Sequence, residues 1–135
     1  MQRVKAIIHL DNILTNAERF SVLTGKRLCA VVKANAYGHG AEAVTSALNG
    51  VADCFAVALV EEALAIRVAA CGKEILVFTP PTTAEEVYAL AVNRFSASVD
   101  SLKTARLICW VCETYRLPII VHLKVNTGMN RYGMN

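Results

Sequence analysis

The sequence has little of what marks membrane-bound or nucleic-acid-binding proteins. Charged residues make up only 19% of its 135 residues, and the formal net charge is +3. The lysines and arginines are scattered, so no basic face for nucleic acid or an anionic membrane is predicted. The longest uncharged stretches, residues 75–84 and 43–52, are about half as long as a membrane-spanning helix. The predicted partners are therefore small molecules or protein chains, with no nucleic acid and no membrane.

The N-terminus also lacks the pattern of a secretory signal. It reads MQRVKAIIHLDN, in which His9 and Asp11 interrupt the short apolar patch before it reaches the length of a signal core. We therefore expect a cytoplasmic protein.

Cysteine occurs in a form that predicts neither a disulfide framework nor a zinc site. The five cysteines are an odd number at irregular spacing, which favours reduced thiols packed in the core. Cys109 and Cys112 form a C-x-x-C pair, but it lies well inside a helical pattern and not at a helix N-terminus. The three histidines share no metal-ligand spacing, so no metal site is predicted.

Five short apolar runs alternate with segments of helical spacing. The runs are residues 28–32, 54–59, 75–78, 95–99 and 119–125. They are nearly continuous, which is typical of parallel strands covered on both faces by helices. The spacing fits either an open doubly wound sheet or a (βα) barrel, and periodicity does not choose between them.

Two helix starts carry capping signals. Thr82 and Glu85 have the spacing of a capping box. Asp100 or Ser101 is placed to cap a helix that ends before Pro118.

Lys33 follows the first apolar run directly, at the end of a predicted parallel strand, where ligands of such folds bind. A lysine amine presented there can react with an aldehyde. Tyr37 offers a phenolic hydroxyl, and Gly38 and Gly40 allow backbone N–H groups to approach an anion. These groups suit pyridoxal phosphate. From the residues alone, a lysine that merely marks where the strand meets water remains an open alternative.

A second polar cluster lies at the end of the fifth apolar run. It contains Lys124, Asn126, Thr127, Asn130 and Arg131. Arg131 can form a forked pair of hydrogen bonds with a carboxylate or a phenolate oxygen. Two cations at one rim repel, so either an anion lies between Lys124 and Arg131 or one of them points away. A solvated turn is the alternative.

Two motifs resemble one known family. The segment AVVKANAYGHG at residues 30–40 resembles the pyridoxal-phosphate attachment signature of alanine racemases, and LKVNTGMNRYG at residues 123–133 resembles a second motif of that family. Residues 52–67 are similar too, so the likeness covers nearly the whole chain. The resemblance implies an N-terminal (βα)8 barrel in which pyridoxal 5'-phosphate (PLP) is bound covalently to Lys33.

The resemblance also implies roles for individual residues. The lysine matching Lys33 moves the α-proton of one alanine enantiomer, and the tyrosine matching Tyr37 contacts the cofactor phosphate. The arginine matching Arg131 touches the phenolic oxygen of the cofactor and the substrate carboxylate. The lysine matching Lys124 can be carbamylated and then pairs with that arginine, which would remove the conflict between two cations.

We therefore predict an α/β fold, a partial (βα)8 barrel of about five βα units with parallel strands. Residues 1–135 are expected to form one incomplete PLP-binding domain, without the C-terminal β domain of the family. By resemblance, the segment matching residues 4–10 is associated with that second domain. Residues 12–23 that follow have helical spacing.

The predicted function follows from the resemblance. Alanine racemases interconvert L- and D-alanine and supply D-alanine for cell-wall synthesis. Racemisation needs acid-base groups on both faces of the substrate, and the family's opposing tyrosine comes from the second domain of a partner subunit, with no matching position here. We expect little or no activity from the chain alone.

Two alternatives remain open. The chain could be a truncated, non-catalytic remnant that forms a homodimer through exposed partial-barrel surfaces and binds PLP weakly or not at all. It could also be a related PLP barrel, either a racemase for another amino acid or a protein of cofactor homeostasis.

Overall fold

The computed structural model describes residues 4–134. Helices and strands alternate through most of this range. The elements are α1 (Leu10–Thr24), β1 (Cys29–Val31), α2 (Lys33–Tyr37), α3 (Ala41–Leu48), β2 (Cys54–Val57), α4 (Val60–Ile66), β3 (Glu74–Val77), α5 (Ala84–Val92), β4 (Ser96–Val99), α6 (Leu102–Tyr115) and β5 (Val121–Leu123).

The five strands form one parallel sheet in the order β1-β2-β3-β4-β5. The predicted α/β fold with five parallel strands is confirmed. A doubly wound sheet reverses its strand order at a switch point, whereas each strand here lies beside the next one along the chain. This order is that of a (βα)8 barrel, and the five strands form an arc of it.

The core lies between the sheet and the helices. Phe55 and Val57 of β2 are fully buried, as are Ile66 of α4 and Val87 of α5. Burying such side chains stabilises the fold by about 1.5–3 kcal/mol each. The central strands are therefore held firmly, and they fix the position of the loops at their carboxyl ends.

The two margins of the sheet are much less covered. All three residues of β5 are exposed. None of the residues of α1 is fully buried, and its Val22 and Leu23 are more than 80% exposed. The helix predicted over residues 12–23 is confirmed as α1, while residues 4–9 before it have no regular secondary structure.

The helix starts differ in detail from the prediction. Thr83, not Thr82, caps α5: its hydroxyl accepts a hydrogen bond from the Glu86 amide at 3.3 Å, and Glu86 Oε2 accepts one from the Thr83 amide at 3.2 Å. The predicted box at Thr82 and Glu85 is therefore wrong by one residue, because two adjacent threonines precede two adjacent glutamates. At α6, Ser101 is the cap, and its Oγ accepts from the Thr104 amide.

The prediction that the cysteines pack in the core is wrong for Cys29, Cys71 and Cys109, whereas Cys112 packs against the core. Cys29, Cys71 and Cys109 are exposed, and Cys54 and Cys112 are half-buried. The fourth apolar run is buried along β4, as predicted. The first run is not covered on both faces, because Cys29 and Val31 are exposed on the sheet face away from the helices. The pair Cys109 and Cys112 lies inside α6, as its pattern indicated.

Residues 4–134 contain neither a helix suited to span a membrane nor a cluster of metal-ligating side chains. No helix in that range has the length and apolarity to cross a membrane. The same range contains no group of three or more His, Cys, Asp or Glu side chains arranged to hold a metal ion.

Candidate functional site

A cavity of about 460 Å³ opens at the carboxyl ends of the strands, on the sheet face opposite the helices. Its volume is within the usual range for small-molecule sites. The lining residues come from β1, β3, β4, β5 and the segments that follow them. They are Val31, Lys33, Tyr37, Leu76, Phe78, Ser98, His122, Leu123, Lys124, Met129, Arg131 and Tyr132. The four residues singled out from the sequence, Lys33, Tyr37, Lys124 and Arg131, all line this one cavity.

Strand alternation explains why Lys33 faces the cavity. Successive side chains of a strand point to opposite faces. Ala30 and Val32 are buried in the core against the helices, whereas Val31 and Lys33 line the cavity. The Val32 amide donates to the Ala56 carbonyl at 2.9 Å, so the ladder to β2 continues up to the residue before the lysine.

The element α2 after β1 is a left-handed turn. Ala34, Asn35, Ala36 and Tyr37 all have φ between 49° and 54°. This conformation costs about 1–2 kcal/mol for each residue with a side chain. The strain turns the chain sharply at the end of β1, so that both Lys33 and Tyr37 reach the same cavity.

Local hydrogen bonds close this turn. The Gly38 amide donates to the Ala34 carbonyl at 3.0 Å, and the Gly40 amide donates to the Asn35 carbonyl at 2.9 Å. The side-chain oxygen of Asn35 accepts from the Ala41 amide at 2.8 Å. Gly38, with φ of 85°, continues the left-handed path at little steric cost.

A carboxylate from the next βα unit also holds the turn. Glu62 Oε1 accepts a hydrogen bond from the Ala34 amide at 2.7 Å, and Oε2 accepts from the Ala58 and Leu59 amides at 2.7 and 3.1 Å. Burial disfavours the charged form of Glu62, but the three backbone donors and the nearby Lys33 ammonium outweigh burial and lower its pKa. Glu62 therefore carries its charge at neutral pH.

On the other side of the cavity, the chain after β5 forms a closed loop over residues 124–134. The Met134 amide donates to the Lys124 carbonyl, and the Asn126 amide donates to the Met134 carbonyl, both at 2.9 Å. Inside the loop, Asn126 Oδ1 accepts from the amides of Gly128 and Asn130 at 3.2 and 3.0 Å. This loop brings Arg131 back to the cavity that Lys124 lines.

Arg131 lies next to an aromatic ring. Its Cζ atom is 5.7 Å from the centre of the Tyr132 ring, a cation–π distance. The ring covers one side of the guanidinium group, whose N–H donors remain at its edge for a carboxylate or phenolate oxygen.

Three hydrogen-bonded polar side chains, Glu74, Ser96 and His122, lie on the cavity-facing side of the strands. Glu74 Oε1 accepts from the Ser96 hydroxyl at 2.7 Å and lies 2.8 Å from His122 Nε2. The hydrogen bonds from Ser96 and His122 lower the pKa of Glu74. Its carboxylate is therefore charged and engaged by these two partners at neutral pH.

The charges around the cavity favour an anionic ligand. Among the described lining residues, Lys33, Lys124 and Arg131 are cationic and none is acidic. Cations that converge on one cavity attract anions. The lysine amine can form a covalent bond with an aldehyde, and Leu76 and Phe78 provide apolar walls. This donor set suits a flat, anionic molecule that carries an aldehyde.

Sequence reasoning missed several residues of the site. It considered His122 only as a possible metal ligand, although His122 lines the cavity, and it did not identify Glu62, Glu74 or Tyr132. For Glu62, the signal that could have found it is an acidic residue at the third position of a helix that directly follows a strand. No local sequence pattern predicts the hydrogen bond between the Glu62 carboxylate and the Ala34 amide.

Comparison with known proteins gives consistent matches. Residues 8–135 match the family model described as "Alanine racemase, N-terminal domain". The chain is 37% identical to the alanine racemase of Nostoc sp. over 139 residues, which covers 99% of this chain and 36% of that protein. It is 42% identical to the alanine racemase of Haemophilus influenzae over 114 residues, which covers 80% of this chain and 29% of that protein.

Solved structures agree with this. The crystal structure of alanine racemase from E. faecalis matches with a TM-score of 0.84 at 34% identity, over 93% of this chain and 35% of that one. The crystal structure of alanine racemase from Oenococcus oeni matches with a TM-score of 0.83 at 28% identity, over 95% of this chain and 37% of that one. The chain spans about a third of the length of these proteins.

Proposed function

Because this chain belongs to the alanine racemase N-terminal domain family, we propose that it forms the cofactor-binding part of an alanine racemase and holds PLP covalently on Lys33. The Tyr37 hydroxyl donates a hydrogen bond to the cofactor phosphate. Arg131 binds the phenolic oxygen of the cofactor and the carboxylate of alanine. Lys124, when carbamylated, pairs with Arg131.

One observation carries this proposal. Lys33, Tyr37 and Arg131, which come from opposite margins of the sheet, line the same apolar-walled cavity of about 460 Å³. The cavity has an excess of positive charge, and PLP and alanine both present anionic groups. A lysine that only marks where a strand meets water would have no reason to share a cavity with the residues of the second motif.

Each residue has a separate chemical task. PLP, when bound, supplies an electron sink that stabilises negative charge at the α-carbon of an amino acid. The Lys33 amine holds the cofactor and moves a proton at that α-carbon on one face of the substrate. Arg131 orients the substrate carboxylate, and Leu76 and Phe78 form apolar walls of the cavity.

Trapping the cofactor tests this proposal. The purified chain is incubated with PLP and reduced with borohydride, and the modified lysine is mapped by peptide mass. We expect the adduct on Lys33 and its loss in Lys33→Arg. Lys103→Arg, which removes an exposed lysine of α6, is the control and should leave the adduct intact. Labelling spread over surface lysines would contradict the proposal.

We also propose that the chain alone racemises alanine slowly or not at all. Racemisation needs a second acid-base group on the face of the substrate opposite Lys33, and the resemblance assigns that group to a different domain. Conversion of L-alanine to D-alanine by the purified chain, at a rate that Lys33→Arg abolishes, would show this proposal to be wrong.

Self-association is a second candidate property, and the exposed β5 favours it. Val121 and Leu123 are 42% and 67% exposed, and β5 is a margin of the sheet in the described residues. A strand in that position offers unpaired backbone groups and apolar side chains to a second copy. We propose a homodimer through this surface. Light scattering over a dilution series should give the mass of a dimer, and a constant monomer mass would exclude it.

A further inference from the structure

We propose that Glu62 is a positioning residue whose carboxylate holds the left-handed turn and thereby orients Lys33 and Tyr37 toward the cavity. The inference rests on the proposed function only in taking Lys33 as the residue that binds PLP. The hydrogen bond from the Ala34 amide to Glu62 is present in the chain without cofactor.

The carboxylate connects the ends of two neighbouring strands. Oε1 binds the amide of Ala34, directly after Lys33, while Oε2 binds the amides of Ala58 and Leu59 after β2. Glu62 is half-buried between these two segments. Charged acceptors form the stronger class of hydrogen bond with backbone N–H groups, so this connection fixes the start of the turn relative to the sheet.

The turn needs an external tie because its own residues disfavour its conformation. Residues 34–37 are left-handed, yet none of them is glycine. Among them only Asn35 is of a type that visits this region readily. Without a contact from outside, the local preference would be to leave the left-handed region, and Lys33 and Tyr37 would lose their common orientation.

Helix capping alone does not account for the hydrogen bonds that Glu62 accepts. Glu86 occupies the same position in the next helix, α5, and its Oε2 accepts from the Thr82 and Thr83 amides at 2.7 and 3.2 Å and from the Thr82 hydroxyl at 3.1 Å. All of those partners are within four residues of Glu86. Glu62 has the equivalent local bonds and, in addition, one to Ala34, which lies 28 residues away in the sequence.

The negative charge of Glu62 also acts on the amine of Lys33. Its carboxylate attracts the Lys33 ammonium. Of the described acidic groups whose pKa is lowered, Glu74 interacts with His122 and Arg27, and Glu86 with neutral donors. The capping carboxylate of α4 therefore accepts a hydrogen bond from the turn and attracts the Lys33 ammonium electrostatically.

The test uses Glu62→Ala and Glu62→Gln, with Glu86→Gln as the matched control for capping. The first readout is NMR-detected hydrogen exchange of the Ala34 amide in the chain without PLP. We expect exchange about tenfold faster or more in Glu62→Ala, because a hydrogen bond to a charged acceptor is lost. Glu62→Gln keeps one acceptor oxygen and should show a smaller increase, and Glu86→Gln should show none at Ala34.

The second readout is the rate at which PLP is trapped on Lys33 by borohydride. We expect it to fall in both Glu62 variants and not in Glu86→Gln. Unchanged exchange at Ala34 in the Glu62 variants would overturn the inference, whether or not PLP binds. Faster exchange with an unchanged rate of trapping would also overturn it, because the turn would then not orient Lys33. If Glu62→Ala does not fold, Glu62→Gln decides.

If the wild-type chain forms no adduct at Lys33, the proposed function fails, while hydrogen exchange still decides whether Glu62 holds the turn. The two failures are therefore distinguishable in the same set of samples.

Discussion

The two segments that bring cations to the cavity are held in different ways. The turn after β1 is strained, and its first amide is bound by Glu62 from the next βα unit. The loop over residues 124–134 closes on itself through backbone hydrogen bonds and the side chain of Asn126. The difference shows that Lys33 depends on tertiary structure for its orientation, whereas Arg131 depends mostly on the residues next to it.

The largest effect is expected at Gly133, which closes the loop. It has φ of 120°, and a Cβ atom there would lie 2.7 Å from the Asn126 amide nitrogen. Gly133→Ala should destabilise the loop by about 2 kcal/mol or more, because both the backbone conformation and the space require glycine.

The matched control for this change is Gly128→Ala. Gly128 has φ of 122°, but a Cβ atom there would have no neighbour within 4 Å. NMR-detected exchange of the Met134 amide should therefore rise more in Gly133→Ala than in Gly128→Ala. Equal rates in the two variants would show that closure of the loop does not depend on the lack of a Cβ atom at Gly133.

Acid should open the turn at residues 34–37 and leave the loop over residues 124–134 unchanged. The pKa of Glu62 is lowered from its ordinary value of 4.5, so its stabilising effect is present above that value and is lost as the pH falls through the lowered pKa. Opening of the turn should therefore increase as the pH falls below 4.5, by at most about tenfold for each pH unit.

Chemical shifts of residues 34–38 recorded from neutral to acid pH measure this change, with residues 126–130 as the internal reference. Glu62→Gln should remove the pH dependence of the turn. If both segments change together in the wild-type chain, global acid unfolding and not Glu62 is responsible.

A smaller effect is expected at Asn126 in the loop. Asn126→Ala removes the acceptor of the Gly128 and Asn130 amides and should cost about 1 kcal/mol of local stability. Asn126→Asp keeps an acceptor oxygen and serves as the control. Hydrogen exchange at Asn130 measures the difference, and equal protection in the two variants would show that this side chain does not hold the loop.

The smallest effect is expected at Ala34, and its sign is informative. Ala34 has φ of 49°, so Ala34→Gly should stabilise the chain by about 0.5–1 kcal/mol through relief of strain. Ala43→Gly in α3, a right-handed helix, should destabilise it by a similar amount. Urea unfolding measures both, and a loss of stability in Ala34→Gly would show that the turn is not strained.

The structure brings the motif residues Lys33 and Lys124 to one cavity, while their roles stay predictions. Lys33 follows the first apolar run and Lys124 lies at the end of the fifth, and the alternation along a strand determines which face each side chain takes. The capping box at α5 was predicted one residue early, since two threonines and two glutamates satisfy the same spacing. Cys29 was misplaced because an apolar neighbourhood in sequence does not say which face of a sheet remains uncovered.

The sequence by itself determined the repeated βα pattern, the parallel strands and the lysine and arginine at their carboxyl ends, because periodicity and local spacing record which residues must be buried. Only the tertiary structure decided that the strands run in consecutive order as an arc of a barrel, that both motifs line one cavity, and that Glu62 binds the turn beside Lys33. These features depend on the packing of segments far apart in the chain, for which a single sequence contains no local signal.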